Sequence, residues 1–274
     1  MKLRPVLCSV LLAMVCTTAR AQVAADEALT LQATLPSPWG KPLSPPMAAG
    51  TKLRFAPGVM KGPAPLNCPG ATHTFLRAPA DGLFEGNLPA PAEQSAKAFG
   101  MPSGLVTQRI GCSNASFDVH RAADGRAWIG LDNAVLSWSR VSIASSPEAT
   151  VQTLLVQHFA ADLDFSPATV AAQAALLTEA LSKQMKSWFE RTKGSEEPPE
   201  LNGDPYTDSQ EYPNSFQLGK ARITGNRAEV TVMYQGEGRP AYPVHVELVR
   251  VNDAWRVSDL RYRDGQKLSQ LLNR

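Results

Sequence analysis

Nine prolines fall between Pro36 and Pro69 of this 274-residue chain, and glycines and further prolines continue to residue 105. Neither residue suits a helix interior, so the stretch excludes long helices. What lies between the breaks alternates in strand fashion. Ala28–Leu35, Thr51–Phe55 and Ala71–Leu76 are such runs, followed by Gly82–Gly86, Leu105–Ile110 and Ser116–His120. Ala123-Asp124-Gly125-Arg126 reads as a hairpin turn. Ala127–Leu131 and Ala134–Trp138 flank a second turn at Asp132-Asn133. Seven or eight short strands joined by turns predict a small barrel or sandwich, with Ala92–Phe99 its one short helix. Trp39, Trp128 and Trp138 are expected in its core or rim. His73 and His120 are expected to face solvent.

The texture changes near residue 145. Ser145-Ser146-Pro147-Glu148 supplies a hydroxyl cap, an early proline and a first-turn acid, which together start a helix. Val151, Leu154, Leu155, His158 and Phe159 then share a face, with His158 read as a packing histidine. Ser166-Pro167 starts a second helix, whose stripe runs from Val170 through Leu181 to Trp188 and ends near Lys193-Gly194. A polar loop over 195–214 follows. Between Glu190 and Tyr212 lie seven acids (Glu190, Glu196, Glu197, Glu200, Asp204, Asp208, Glu211) against Arg191 and Lys193, a local net of −5. Four strands over 216–260 and a short helix over 266–272 complete an α+β pattern. The expectation is therefore two domains: an all-β unit over 22–144 and an α+β unit over 145–274.

The first 21 residues read as a cleavable leader. A basic start (Lys2, Arg4) precedes the apolar run Val6–Cys16, and Ala19-Arg20-Ala21 offers a small-x-small site, which predicts cleavage after Ala21 and a periplasmic protein. Removing Lys2, Arg4 and Arg20 leaves 24 cations against 25 acids, a net charge of −1. That balance argues against a nucleic-acid binder, and no later run is long enough to span a membrane. Cys68 and Cys112 are then the only cysteines of the mature chain. In an oxidising compartment they are expected to pair, stabilising the fold by about 4 kcal/mol in the chain-entropy picture.

Two resemblances follow from particular residues. The sequence Gly203-Asp204-Pro205-Tyr206-Thr207-Asp208-Ser209-Gln210, and the strands Val246–Arg250 and Trp255-Arg256-Val257-Ser258-Asp259-Leu260, resemble a domain family of bacterial exported proteins. The resemblance covers residues 147–274 and implies a nuclear transport factor 2-like (cystatin-like) cone, a helical pair packed on a curved antiparallel sheet. Trp39-Gly40, Leu53-Arg54-Phe55 and the region around Cys68 resemble the lipocalin-like or META-type barrels of bacterial envelopes. Cone folds serve enzymes and plain binding modules alike, so the fold does not choose the function.

The chemical candidates are few. No G-x-S-x-G elbow, P-loop or H-E-x-x-H is present. Asp204, Asp208 and Tyr206 on the loop, with Tyr234 on a strand, are the raw material for a carboxylate base beside a phenol. Against that, Asp residues in such a loop commonly organise turns. Asn202, Asp204 and Asp208 do not repeat at EF-hand spacing. No cofactor and no metal site are expected. The sequence points to non-catalytic binding of an envelope protein or small ligand, of inhibitor or immunity type, with a small-molecule enzyme of the cone fold as the alternative.

Overall fold

A computed structural model describes residues 23–40, 46–131, 133–143, 145–193, 201 and 203–274. The expected leader and its cleavage site, and the acids Glu196, Glu197 and Glu200, lie outside the described residues. The proline-rich part forms strands β1 (Glu27–Pro36), β2 (Lys52–Ala56), β3 (Val59–Lys61), β4 (Asn67–Pro69) and β5 (Thr72–Arg77). A short 3-10 segment (Ala80–Gly86) and helix α1 (Ala92–Ala98) precede β6 (Val106–Gly111), β7 (Ser116–Arg121), β8 (Arg126–Leu131) and β9 (Ala134–Ile143). Helices α2 (Pro147–Ala160), α3 (Pro167–Gln173) and α4 (Glu179–Thr192) come next. Strands β10 (Ser215–Leu218), β11 (Arg222–Thr224), β12 (Arg227–Gln235), β13 (Tyr242–Val251) and β14 (Ala254–Arg261) then lead to α5 (Leu268–Leu272).

The expected division into an all-β domain and a separate α+β cone is not what forms. All fourteen strands belong to one curled sheet, with antiparallel strand pairs, ordered β14-β13-β12-β10-β5-β6-β7-β8-β9-β1-β2-β3-β4, with β11 on β12. The joint is β5 against β10, through the pairs Leu76–Ser215 and Phe75–Phe216. There the Phe75 and Phe216 rings stack at 4.7 Å, and Gln217 Nε2 donates to Thr74 Oγ1 at 2.8 Å. Phe75 and Val106 of the first half share one apolar core with α2 and β12–β14. Contacts thus run across residue 144 instead of thinning there.

Strand register explains how the curl is filled. Residues paired directly across strands share a face, so the inner face carries Leu29, Leu53, Phe55, Met60, Cys68, Ile110, Val119, Ile129 and Trp138 as one core. The Cys68–Cys112 disulfide ties β4 to the residue after β6, across the gap where β4 and β5 do not pair. Against this core sits a buried polar layer. Glu27 on β1 meets Arg121 of β7 (2.7 Å) and Arg140 of β9. Arg121 Nε donates to Gln108 Oε1 on β6 at 2.6 Å, and Gln108 Nε2 reaches His73 Nδ1 on β5 at 3.0 Å. The Arg121 guanidinium also lies over the Phe55 ring at 5.0 Å.

Two further expectations need correction. His73 and His120 are buried, not solvent-facing, because the first lines the interior of the curl and the second lies beneath the 3-10 segment. The single helix expected over 167–193 is broken. Leu177 turns extended to bridge Val257 on β14, and Thr178 then caps α4 by accepting from Leu181 N. The caps at Ser146 and Ser166 form as expected. Trp128 and Trp138 are buried and Trp39 sits at the rim. Among the described residues, no helix is long and apolar enough to cross a membrane.

Candidate functional site

Loop residues 203–209 are tied into a knot by their own backbone. Gly203 has φ of +113°, and a Cβ there would lie 2.5 Å from Ser209 O, so only glycine closes the turn. Asp204 N donates to Ser209 O at 2.9 Å, and Asp208 N to Asp204 O at 3.0 Å. The Asp204 carboxylate fills the centre. Its Oδ1 accepts Tyr206 N (3.1 Å), and its Oδ2 accepts Thr207 Oγ1 (2.7 Å) and lies 2.9 Å from His158 Nε2 on α2. The Asp204 carboxylate accepts a hydrogen bond from the proton carried on His158 Nε2, while Nδ1 is buried and without a hydrogen-bond partner.

Phenols secure the loop from three sides. Tyr206 O–H donates to Gln173 Oε1 on α3 at 2.9 Å, and its ring meets the His158 ring edge-on at 4.6 Å. Tyr234 O–H on β12 donates to Tyr206 O at 3.1 Å. Tyr262 O–H, just after β14, donates to Pro205 O at 2.9 Å. Burial pushes all three phenols above their ordinary range, and the nearby Asp204 charge adds to it. They act as hydrogen-bond donors at any physiological pH.

Three of the four candidates named from sequence, Asp204, Tyr206 and Tyr234, are therefore brought together with His158, but in a sealed cluster. The Asp204 side chain is 1% exposed and the His158 side chain 0%. Among the described residues, neither lines any of four surface clefts of about 480 to 790 Å³. Asp208 stands apart, half-buried at the rim. Burial raises its carboxyl above the usual range, against the pull of the Arg263 guanidinium at 3.4 Å.

Beside Arg263 opens a cleft of about 680 Å³, floored by Tyr242 and Pro243 and walled by Ser209, Tyr212, Asn214 and Arg239. Arg263 covers the Tyr242 ring at 4.7 Å, and Arg239 pairs with Glu211 at 2.6 Å. Glu237 adds an exposed acid to the rim. Tyr242, Arg239 and Arg263 escape a sequence reading because they lie on three segments with no spacing signal; Tyr212, at the end of the acidic stretch, carries the only hint. Among the described residues, no group of three or more His, Cys, Asp or Glu is placed to hold a metal ion. Compared with known proteins, the chain matches no family model, no curated protein and no solved structure.

Proposed function

We propose that this chain is an exported protein of the bacterial envelope that binds a partner rather than catalysing a reaction, with the Tyr242–Arg263 cleft as its recognition surface. The observation that carries the reading is the state of Asp204. Both its oxygens are committed to Tyr206 N, Thr207 and His158, out of reach of any substrate. A general base needs a free lone pair within hydrogen-bond reach of the proton it removes. The cluster instead fixes the wall of the open cleft next to it.

Export is supported by the leader pattern and by the disulfide. Val23, one residue past the expected mature start at Gln22, is buried and donates to Leu218 O at 3.0 Å, which is compatible with that start. The loop over 203–210 and the strand Trp255–Leu260, which resemble a family of exported proteins, are compatible with the same reading. The cleft's own arginines are paired with Glu211 and Asp208, which leaves Glu237 as an exposed acid at its rim. A basic segment of an envelope protein is the complementary partner.

The test is native mass spectrometry of the protein recovered from the periplasm of its own host, followed by affinity measurement. A co-purifying polypeptide is expected, and Glu196→Lys/Glu197→Lys/Glu200→Lys together with Tyr212→Ala weakens it by about tenfold or more. Undiminished affinity in that variant removes Tyr212 and the acidic stretch from the reading.

A further inference from the structure

On the outer face of the curl, away from the loop cluster, the 3-10 segment folds over β7 and β8 in a strained way. Phe84 (φ 51°, ψ 42°) and Glu85 (φ 59°, ψ 30°) are consecutive non-glycine residues in the left-handed region, a conformation that persists only where its surroundings impose it. The imposing group is His120. Its Nε2 accepts Phe84 N at 3.1 Å, its Nδ1 is held by Thr107 Oγ1 at 2.8 Å, and the Phe84 ring stands edge-on to it at 4.6 Å. Gly130 on β8 makes room, since a Cβ there would come within 3.0 Å of the Phe84 ring.

The result is a cleft of about 550 Å³, within the size range of small-ligand sites. Half-buried Trp39 and Phe117 provide aromatic surface; Trp39 is braced by Phe84 at 5.4 Å and Phe99 at 6.5 Å. Glu85 and Asp118 bring carboxylates, and Asn87 and Asn133 carboxamides, to the same cleft. Arg109 clamps Asp118 through two hydrogen bonds, at 2.9 and 2.8 Å, and that carboxylate, with a smaller contribution from Glu85, holds the guanidinium in its charged form. One of the two acids is thereby offset.

We propose that this cleft is a carbohydrate site. Planar carboxylates and carboxamides take vicinal hydroxyls two at a time, as donors or acceptors, while an indole face takes the C–H face of a pyranose ring. A free cation suits it less well, because Arg109 stands among the acids. A phosphate or nucleic acid would meet two carboxylates. The strained segment, held by His120, brings Glu85 into the lining of the same cleft as Asp118. This site is independent of the partner surface proposed above.

The experiment is saturation-transfer NMR and calorimetric titration of the full chain with glucose, galactose, N-acetylglucosamine and their linear trisaccharides. At least one sugar is expected to bind, with transfer to its ring C–H protons. Trp39→Ala should weaken binding by about tenfold or more, and Glu85→Gln and Asp118→Asn, which leave the packing in place, by several-fold. Ile223→Ser, on exposed β11, should leave it unchanged. No binding to any of these sugars at millimolar concentration, binding indifferent to all three cleft variants, or binding of a diamine such as putrescine in their place would overturn the proposal.

Discussion

In the first half a single carboxylate, Glu27, faces two guanidinium groups; in the second a single carboxylate, Asp204, faces one imidazole, one hydroxyl and one peptide N–H. Both are buried, yet they are assembled over different distances. The Glu27–Arg140 contact spans 113 positions and the whole layer draws on five strands. Two of the three groups on Asp204 lie within three residues of it. The charge balance differs as well. Arg121 and Arg140 exceed Glu27 by one positive charge, and Arg121 Nη2 has no hydrogen-bond partner. The first network ties five strands of the sheet together; the second holds a loop.

That contrast is breakable. Glu27→Ala leaves the fully buried Arg121 cation uncompensated and should lower unfolding free energy by about 4 kcal/mol, read by urea denaturation. Glu27→Leu combined with Arg121→Met, which removes both charges, should recover most of the loss. A single-variant cost below about 1 kcal/mol would erase the distinction between the two networks. Asp204→Ala is expected to cost about 3 kcal/mol, since it strands the buried Tyr206 N–H, the Thr207 hydroxyl and His158. Hydrogen exchange separates the two changes. The Asp204 variant should lose protection chiefly over 203–209, the Glu27 variant across β1, β7 and β9.

Acid sharpens the comparison further, because neutral histidines sit in the first half. Burial holds both His73 and His120 down at about 4, with Arg121 adding to the effect on His73 and Arg109 to that on His120. Unfolded, both bind protons below about 6.5, while the folded state refuses them until about 4. Stability is therefore level above pH 6.5 and falls as pH drops from there towards 4, by about 2 kcal/mol for each histidine at pH 5. Denaturation midpoints at pH 7 and pH 5 measure it, and His73→Gln should remove about half of the difference. A flat profile would mean that neither ring is held neutral.

Local chemistry was legible in the sequence. The proline breaks placed short strands, Ser146-Pro147 and Ser166-Pro167 placed helix starts, and Asp124-Gly125 placed the β7–β8 turn. The pairing of Cys68 with Cys112, expected from the leader pattern and the cysteine count, is present. What was not legible depends on contacts between distant segments. Nothing near Phe75 or Phe216 announces that they will stack, so a single sheet read as two units. His73 and His120 sit in alternating strands whose other face was equally polar by pattern. Only the partners Gln108, Thr107 and Phe84 N make burial tolerable there. The loop acids were visible as acids, but their enclosure is the work of Tyr234 and Tyr262, which arrive later in the chain.

The joint between β5 and β10 also sets a timetable. β5 is complete at Arg77, yet the strand that covers its outer edge starts at Ser215, and the Gln217–Thr74 hydrogen bond closes a span of 143 positions. In a chain delivered N-terminus first, the nine early strands can curl and oxidise while one flank still shows open N–H and C=O groups. Such distant pairing forms slowly, and during the wait that flank is a template for any passing strand. A folding helper that met this chain would therefore act on this flank, in the interval before β10 docks.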